Sequence, residues 1–263
     1  MKLGSLFSGI GGLEMGLEAA LGATTIWQCE SDPYAQAVLR KHWGVPIYDD
    51  IRHIDETAER PDILVGGWPC VDHSRLGKRA GIEGEKSGLF FELVRCIRLL
   101  RPKLVICENV PTLLTAGRGF GQVLAELHSC GFDVWWDCIP AYAVGSPQRR
   151  DRTFLICWRP EHRGALADAL CRWRPDYDVQ AGGDAVGRCG ANAGAWGGDP
   201  ADGDESRLGR MAHGVRGGAH TDRLRCLGNA VVPQVAFAVG LVARELLGRE
   251  LSLIHISEPT RPY

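Results

Sequence analysis

A chain of 263 residues with 45% hydrophobic and 24% charged residues has the balance of an ordinary folded protein, which excludes a fibrous or disordered one. Its length suits one α/β domain with a modest second lobe; two full domains would be a squeeze. A formal net charge of −2 gives no whole-chain basic signature, no apolar stretch approaches the roughly 20 residues of a membrane span, and Met1 to Phe7 breaks into glycines where a secretion signal stays apolar. A cytoplasmic, membrane-free chain is the expectation.

In chain order, short apolar runs alternate with amphipathic stretches. Strands are predicted at Leu3 to Phe7, Thr24 to Cys29, Ile63 to Val65, Leu104 to Cys107, Val134 to Cys138 and Thr153 to Trp158. Helix-spaced apolar residues occupy Leu13 to Leu21, Tyr34 to His42, Leu89 to Leu100 and Gly121 to Ser129. Repeated β-α units of this kind predict a doubly wound, mostly parallel sheet. From about Arg159 the pattern decays, and Gln180 to Asp204 is dominated by Gly, Ala and Asp with little to bury. Order returns at Leu224 to Leu247, where Val231-Val232-Pro233 precedes an apolar helix-like run expected to dock back on the first domain. The predicted division is 1–158, 159–222, 223–250 and a tail at 251–263.

Charge is distributed unevenly. Between Ala141 and Pro175 lie seven arginines (149, 150, 152, 159, 163, 172 and 174) against three acids, a stretch able to face phosphates. Ten cysteines are scattered with none in a Cys-x-x-Cys pair, so neither a zinc site nor a disulfide framework is indicated. Nine of them read as small buried hydrophobes in a reduced compartment.

Several segments carry chemistry. Phe7-Ser8-Gly9-Ile10-Gly11-Gly12 is a tight glycine turn at a helix start, where backbone can approach a ligand. Its G-x-G-G spacing departs from the dinucleotide fingerprint G-x-G-x-x-G. Glu30 after the second strand and Asp50-Ile51 beyond it supply acids that suit a nucleoside without pyrophosphate, or that cap helices and turns. Gly66-Gly67-Trp68-Pro69-Cys70 leaves a strand at the edge where α/β proteins hold ligands, and a thiol on such a loop is reachable as a nucleophile. Glu108 in Cys107-Glu108-Asn109-Val110 comes to the same edge. Gln148-Arg149-Arg150-Asp151-Arg152 precedes the last strand, and alternation predicts Arg150 and Arg152 on one face.

Taken in order with Gly228-Asn229-Ala230-Val231-Val232-Pro233, these signatures resemble the DNA cytosine-5 methyltransferase family in its compact prokaryotic or phage form, over most of the chain up to about Glu250. The resemblance implies an S-adenosylmethionine-dependent, Rossmann-like doubly wound sheet with a small, short target-recognition lobe. It implies methyl transfer from S-adenosyl-L-methionine to C5 of cytosine in double-stranded DNA, in a monomeric, metal-free, cytoplasmic enzyme of bacterial or phage origin. Cys70 would attack C6 of a flipped cytosine, Glu108 would contact N3 and the amino group, Arg152 the base, and Arg150 the loop or phosphates. Phe7, Gly9, Gly11, Gly12, Glu30, Asp50, Ile51, Asn229 and Val231 would line the cofactor pocket, with Pro69 and Leu89 beside them. Val71 to Lys86, with Arg75, Lys78, Arg79 and Lys86, would close over the DNA.

Departures are as informative. Val71 stands where many members carry Gln, and the region from Arg159 to about Asp204 is short and glycine-rich for a recognition domain. Ser206 to Val215 resembles a supporting segment of phage-type members, and His213 reads as structural. Leu251 to Tyr263 resembles a translated sequencing adaptor and is expected not to belong to the natural chain. Rival readings are a tRNA cytosine-5 methyltransferase, an inactive DNA-binding remnant and, weakest, a dinucleotide-dependent dehydrogenase.

Overall fold

A computed structural model describes residues 1–69, 88–115, 118–148, 150–160 and 218–246. Cys70 to Ser87, Arg149, residues 161 to 217 of the region expected over 159–222 (His213 among them) and the expected tail 251–263 lie outside the described residues.

The chain opens with β1 (Lys2–Leu6), α1 (Gly12–Leu21), β2 (Thr24–Cys29), α2 (Pro33–His42) and the two-residue β3 (Ile47–Tyr48). It continues through β4 (Ile63–Gly66), α3 (Leu89–Leu100), β5 (Leu104–Asn109), α4 (Phe120–Ser129), β6 (Asp133–Pro140) and β7 (Asp151–Trp158). Two further helices, α5 (Gly218–Asn229) and α6 (Pro233–Leu246), follow.

The seven strands form one sheet in the order β3-β2-β1-β4-β5-β7-β6. Pairings are parallel from β3 to β5, while β7 runs antiparallel to both β5 and β6. The expected doubly wound sheet is therefore present, with one reversed strand set between β5 and β6. Winding turns back between β1 and β4, so a crevice opens beyond their carboxyl ends, the place where such sheets take ligands. The reversal of β7 sets its first residues against the last of β5: Asn109 pairs with Thr153 and Glu108 with Phe154.

Strand alternation gives the sheet two apolar faces. On one, Leu6, Trp27, Leu64, Val105 and Leu155 meet Phe90, Leu93 and Ile97 of α3 and Val123 and Leu127 of α4. On the other, Leu3, Ile63, Val65, Ile106 and Ile156 meet Leu13 and Leu17 of α1 and Val235, Val239 and Ala243 of α6.

The ordered stretch expected over Leu224 to Leu247 contains the apolar helix expected after Val231-Val232-Pro233 and, before it, the end of another helix. Pro233 lacks an amide hydrogen and fits only a first turn, so α6 starts there while α5 has already ended at Asn229. By length and composition alone Thr221–Leu246 would cross a membrane. Here it is broken at residues 230–232, and Val235, Ala236, Val239, Gly240, Ala243 and Leu246 are buried. Gly16 of α1 lies against Pro233 O and the backbone of Phe237, and Gly240 lies against Ala20, so the two helices cross where neither has a side chain to spare. Of the cysteines in the described residues, Cys29, Cys96, Cys107, Cys138, Cys157 and Cys226 are buried, and Cys130 is half-buried.

Candidate active site at the sheet's switch point

Two strand ends meet at the crevice. β1 runs into Phe7 to Gly12, a turn that needs positive φ at Phe7 (55°), Gly9 (55°) and Gly11 (86°). In Phe7 that conformation costs on the order of 1 kcal/mol, held here by the flanking Ser8 N to Cys29 O bond of 3.0 Å. A β-carbon at Gly9 would meet nothing within 4 Å, so the backbone there faces open space. Gly12, in contrast, lies directly against Val231 O, and Gly11 against the Trp43 ring.

Glu30 fastens this turn. Its Oε2 accepts from Gly9 N and its Oε1 from Asp32 N, both at 2.8 Å, while its carbonyl accepts from Gln36 Nε2 at 2.6 Å. A carboxylate oxygen accepts more than one bond, so each keeps capacity for a hydroxyl on the crevice side. Beneath the turn, Glu14 is fully buried and accepts from Gln28 Nε2 at 3.3 Å, and burial raises its pKa above the ordinary value.

Asp50 takes the turn-capping part, one of the two its position allows. It caps a short 3-10 turn at Ile51–His53 by accepting from Arg52 N at 2.9 Å, and the Arg52 guanidinium also grips it, with Nε at 2.9 and 3.0 Å from its two oxygens. The Arg52 bonds lower its pKa to about 2. Ile51 is buried, and its carbonyl accepts from Arg95 Nη2 of α3 at 2.7 Å, with Arg95 Nη1 on Ile54 O at 2.8 Å. Arg95 thus fixes the Asp50-Ile51 turn, a part that no motif in the chain marks out. Leu89 and Pro69 are half-buried, and Asn229 is exposed at the end of α5.

The second half of the site sits beyond β4 and β5. Gly67, Trp68 and Pro69 lead towards Cys70, which itself lies outside the described residues. Trp68 is buried against Phe90, their ring centroids 4.9 Å apart, and its carbonyl accepts from Asn109 Nδ2 at 3.3 Å. Asn109 therefore ties the root of the Cys70 loop to β5. Glu108 projects over Gly67: a β-carbon there would come within 2.5 Å of Glu108 Oε2. Glycine at this position is what gives the carboxyl its room.

Glu108 pairs with Arg152 Nε at 2.9 Å, their side chains only 13% and 21% exposed. Burial raises the Glu108 pKa, and the opposing pull of Arg152 and Arg150 does not cancel that effect. Such a carboxyl can hold and release a proton outside the usual carboxylate range. Arg150 and Arg152 both stand near enough to Glu108 to oppose the effect of its burial, while their hydrogen bonds go to different partners. Arg150 donates through Nη1 to Gly228 O of α5 at 2.6 Å, leaving Nε and Nη2 buried without a hydrogen-bond partner. Its pKa is lowered to about 10, by burial first and by Arg152 second. A buried guanidinium with two unused donors is suited to an anionic or carbonyl ligand. Among the described residues, no group of three or more His, Cys, Asp or Glu side chains is placed to hold a metal ion.

Comparison with known proteins bears on this geometry. Residues 1–170 match the family described as C-5 cytosine-specific DNA methylase. The chain is 41% identical over 163 residues to the type II methyltransferase M2.BsuMI of Bacillus subtilis, covering 59% of this chain and 41% of that protein. It is 36% identical over 173 residues to M.NgoBI of Neisseria gonorrhoeae (65% and 54%) and 34% over 157 residues to M.HhaI of Haemophilus parahaemolyticus (59% and 48%). The chain thus spans about half the length of these relatives. Among solved structures, Spodoptera frugiperda DNMT2 aligns at a TM-score of 0.51 and 19% identity, over 60% of this chain and 50% of that one. The Entamoeba histolytica methyltransferase EhMeth aligns at 0.51 and 17%, over 60% and 52%. At that identity the two share the fold.

Proposed function

This chain belongs to the C-5 cytosine-specific DNA methylase family, and from that premise we propose that it transfers a methyl group from S-adenosyl-L-methionine to C5 of cytosine in duplex DNA through a covalent Cys70 adduct. The observation that carries the reading is the buried Glu108–Arg152 pair standing over Gly67, at the root of the loop that bears Cys70.

The cofactor pocket suits its ligand on two counts. Open space over Gly9 is the kind of cradle a ligand fills against backbone, and Glu30 is already braced by Gly9 N and Asp32 N to take a ribose diol. Phe7, Gly11, Gly12, Ile51, Asn229 and Val231 would complete it, with Leu89 and Pro69 at its edge and Asp50 contributing what its Arg52 pairing leaves free. When bound, S-adenosyl-L-methionine supplies a methyl group on a sulfonium, which needs an electron-rich carbon to receive it.

The chain's own residues make that carbon. C5 of a neutral cytosine is a weak nucleophile, and the base is out of reach inside a duplex, so it is flipped at a cost of a few kcal/mol. The Cys70 thiolate adds to C6 while Glu108 gives a proton to N3, so the electrons of the broken C5–C6 double bond become available at C5. Arg152 holds Glu108 and the base in register, and Arg150 turns its unused donors to a phosphate. After methyl transfer, a base removes the C5 proton, the double bond re-forms, Cys70 leaves C6 as thiolate, and N3 returns its proton to Glu108.

Methyl transfer from labelled S-adenosyl-L-methionine to unmethylated duplex DNA, comparing wild type with Cys70→Ala, tests this. Label in DNA cytosine with wild type and none with the variant is the expected result. Label on tRNA and not on duplex DNA would replace the substrate, and silence on both with cofactor still bound would leave a DNA-binding remnant.

A further inference from the structure

The helix α5 is fastened to both halves of the site. Near its end, Gly228 O accepts from Arg150, a residue of the base half. One turn earlier, Arg225 forms an ion pair with Asp32, the residue that caps α2 by accepting from Tyr34 N and Ala35 N. Between these points Cys226 is 8% exposed; burial raises its thiol pKa first, Asp32 second, and Glu30 is also near enough to contribute. So α5 runs alongside Glu30. Beyond it, Val231 O lies against Gly12 of the glycine turn.

These contacts form a connected series. Gly9 N bonds Glu30 Oε2, Glu30 Oε1 accepts from Asp32 N, and the Asp32 carboxylate meets Arg225, which also bonds Asp222 at 2.9 Å within its own helix. The Asp32 side chain is only 17% exposed, while Arg225 is 52% exposed. Two carboxylates two residues apart, one aimed at the crevice and one held by a cation from the far end of the chain, join the cofactor half to α5.

We propose that Arg225 is a positioning residue for the cofactor site: by pairing with Asp32 it latches α5 beside Glu30 and so strengthens cofactor binding without touching the cofactor. The inference rests on the proposed function, because it takes the crevice over Gly9 to be the S-adenosyl-L-methionine site. The latch acts on binding, since among the described residues the contacts of Arg225 and Asp32 lead to Glu30 and α2 and none leads to Glu108.

The test is a double-mutant cycle on Kd for S-adenosyl-L-methionine, measured by calorimetry without DNA, using Arg225→Gln, Asp32→Asn and the pair. Asn keeps the α2 cap while removing the charge. A partly exposed ion pair is weak, so each single change is expected to raise Kd about three- to fivefold. The double variant should be no worse than either single, which is the mark of a shared interaction. KM for the cofactor follows the same rise with kcat unchanged, Arg225→Lys recovers part of the loss, and the wild-type advantage fades at an ionic strength of about 1 M. Unfolding midpoints of the free variants serve as the folding control, with Arg225→Lys carrying the test if Arg225→Gln does not fold. Wild-type Kd in Arg225→Gln, or strictly additive losses in the cycle, overturns the latch alone. Failure of the wild type to bind the cofactor overturns the latch together with the proposed function.

Discussion

Replacing Gly67 by Ala tests the geometry of the base half with a single methyl group. The new carbon would stand 2.5 Å from Glu108 Oε2, 3.3 Å from Glu108 O and 3.5 Å from its Cβ. Ordinary contact begins near 3.4 Å, so the carboxyl end must retreat by about 0.9 Å or the strand end must shift. Glu108 has little freedom to retreat, because it is held at 2.9 Å by Arg152 in surroundings that leave it 13% exposed. Forcing an extra carbon into such a place costs about 1–3 kcal/mol. In a protein of this size that lowers the unfolding midpoint by about 2–4 °C per kcal/mol. Displacing a proton donor by about 1 Å costs on the order of 100-fold in turnover. Methyl transfer to duplex DNA at saturating cofactor should therefore fall about 100-fold, while cofactor Kd stays within about twofold because Glu30 and Gly9 lie on another strand end. A Gly67→Ala enzyme with wild-type kcat would refute the assignment of Glu108 as the group that must sit there.

Two further changes probe the buried carboxyls. Glu108→Gln keeps the shape, removes the proton and leaves Arg152 without its counter-charge. Turnover should drop about 100- to 10,000-fold, with a stability loss below the ~3–5 kcal/mol of a fully buried pair because Arg152 stays partly exposed. If the protonated carboxyl is the working form, wild-type activity declines as pH rises through the raised Glu108 value, and a rate that climbs smoothly through that range would contradict it. Glu14→Gln should leave cofactor binding intact while changing the pH dependence of stability. With its folded pKa raised above 4.5, Glu14 favours folding fully below that value, and the contribution is lost as pH rises through the folded pKa. The variant lacks this loss, so urea unfolding from about pH 4 to about pH 9 should show its advantage over wild type growing with pH. A constant difference would mean that Glu14 is not held neutral.

Much of this architecture was legible in the sequence because it rests on local patterns. The predicted strands and the first four helices coincide with observed elements to within a residue or two, since each has its own apolar period. The glycine turn, Glu30, Glu108 and Arg152 were readable because their chemistry is tied to a strand end. What escaped was set by contacts distant in sequence. Nothing local says that β7 is reversed or that Arg150 reaches Gly228. Arg95 and Arg225 carry no motif of their own, and Asn109 stands in the Glu108 signature without an assigned role; their parts emerge only once the carbonyls or carboxylates they hold are in place. The break between α5 and α6 could have been taken from Pro233, whose missing amide hydrogen belongs to a first turn.

The crossing of α1 with α6 has a consequence for how the molecule is made. Leu13, Leu17 and Ala20 are shielded by Val235, Val239 and Ala243, and Arg244 closes the contact by donating to Ala20 O across 224 residues of sequence. The entropy of closing so long a loop grows only slowly with its length, so the contact is affordable at equilibrium. In time it is late: on the ribosome, α1 emerges before every other described helix and waits for its cover until almost every other described element exists. During that interval an apolar stripe beside a future ligand crevice stands open to water, and slow, non-local completion of this kind is where chains become exposed to aggregation. The crevice beside the glycine turn is thus among the last features of the fold to mature, although that turn is synthesised before the helix that covers it.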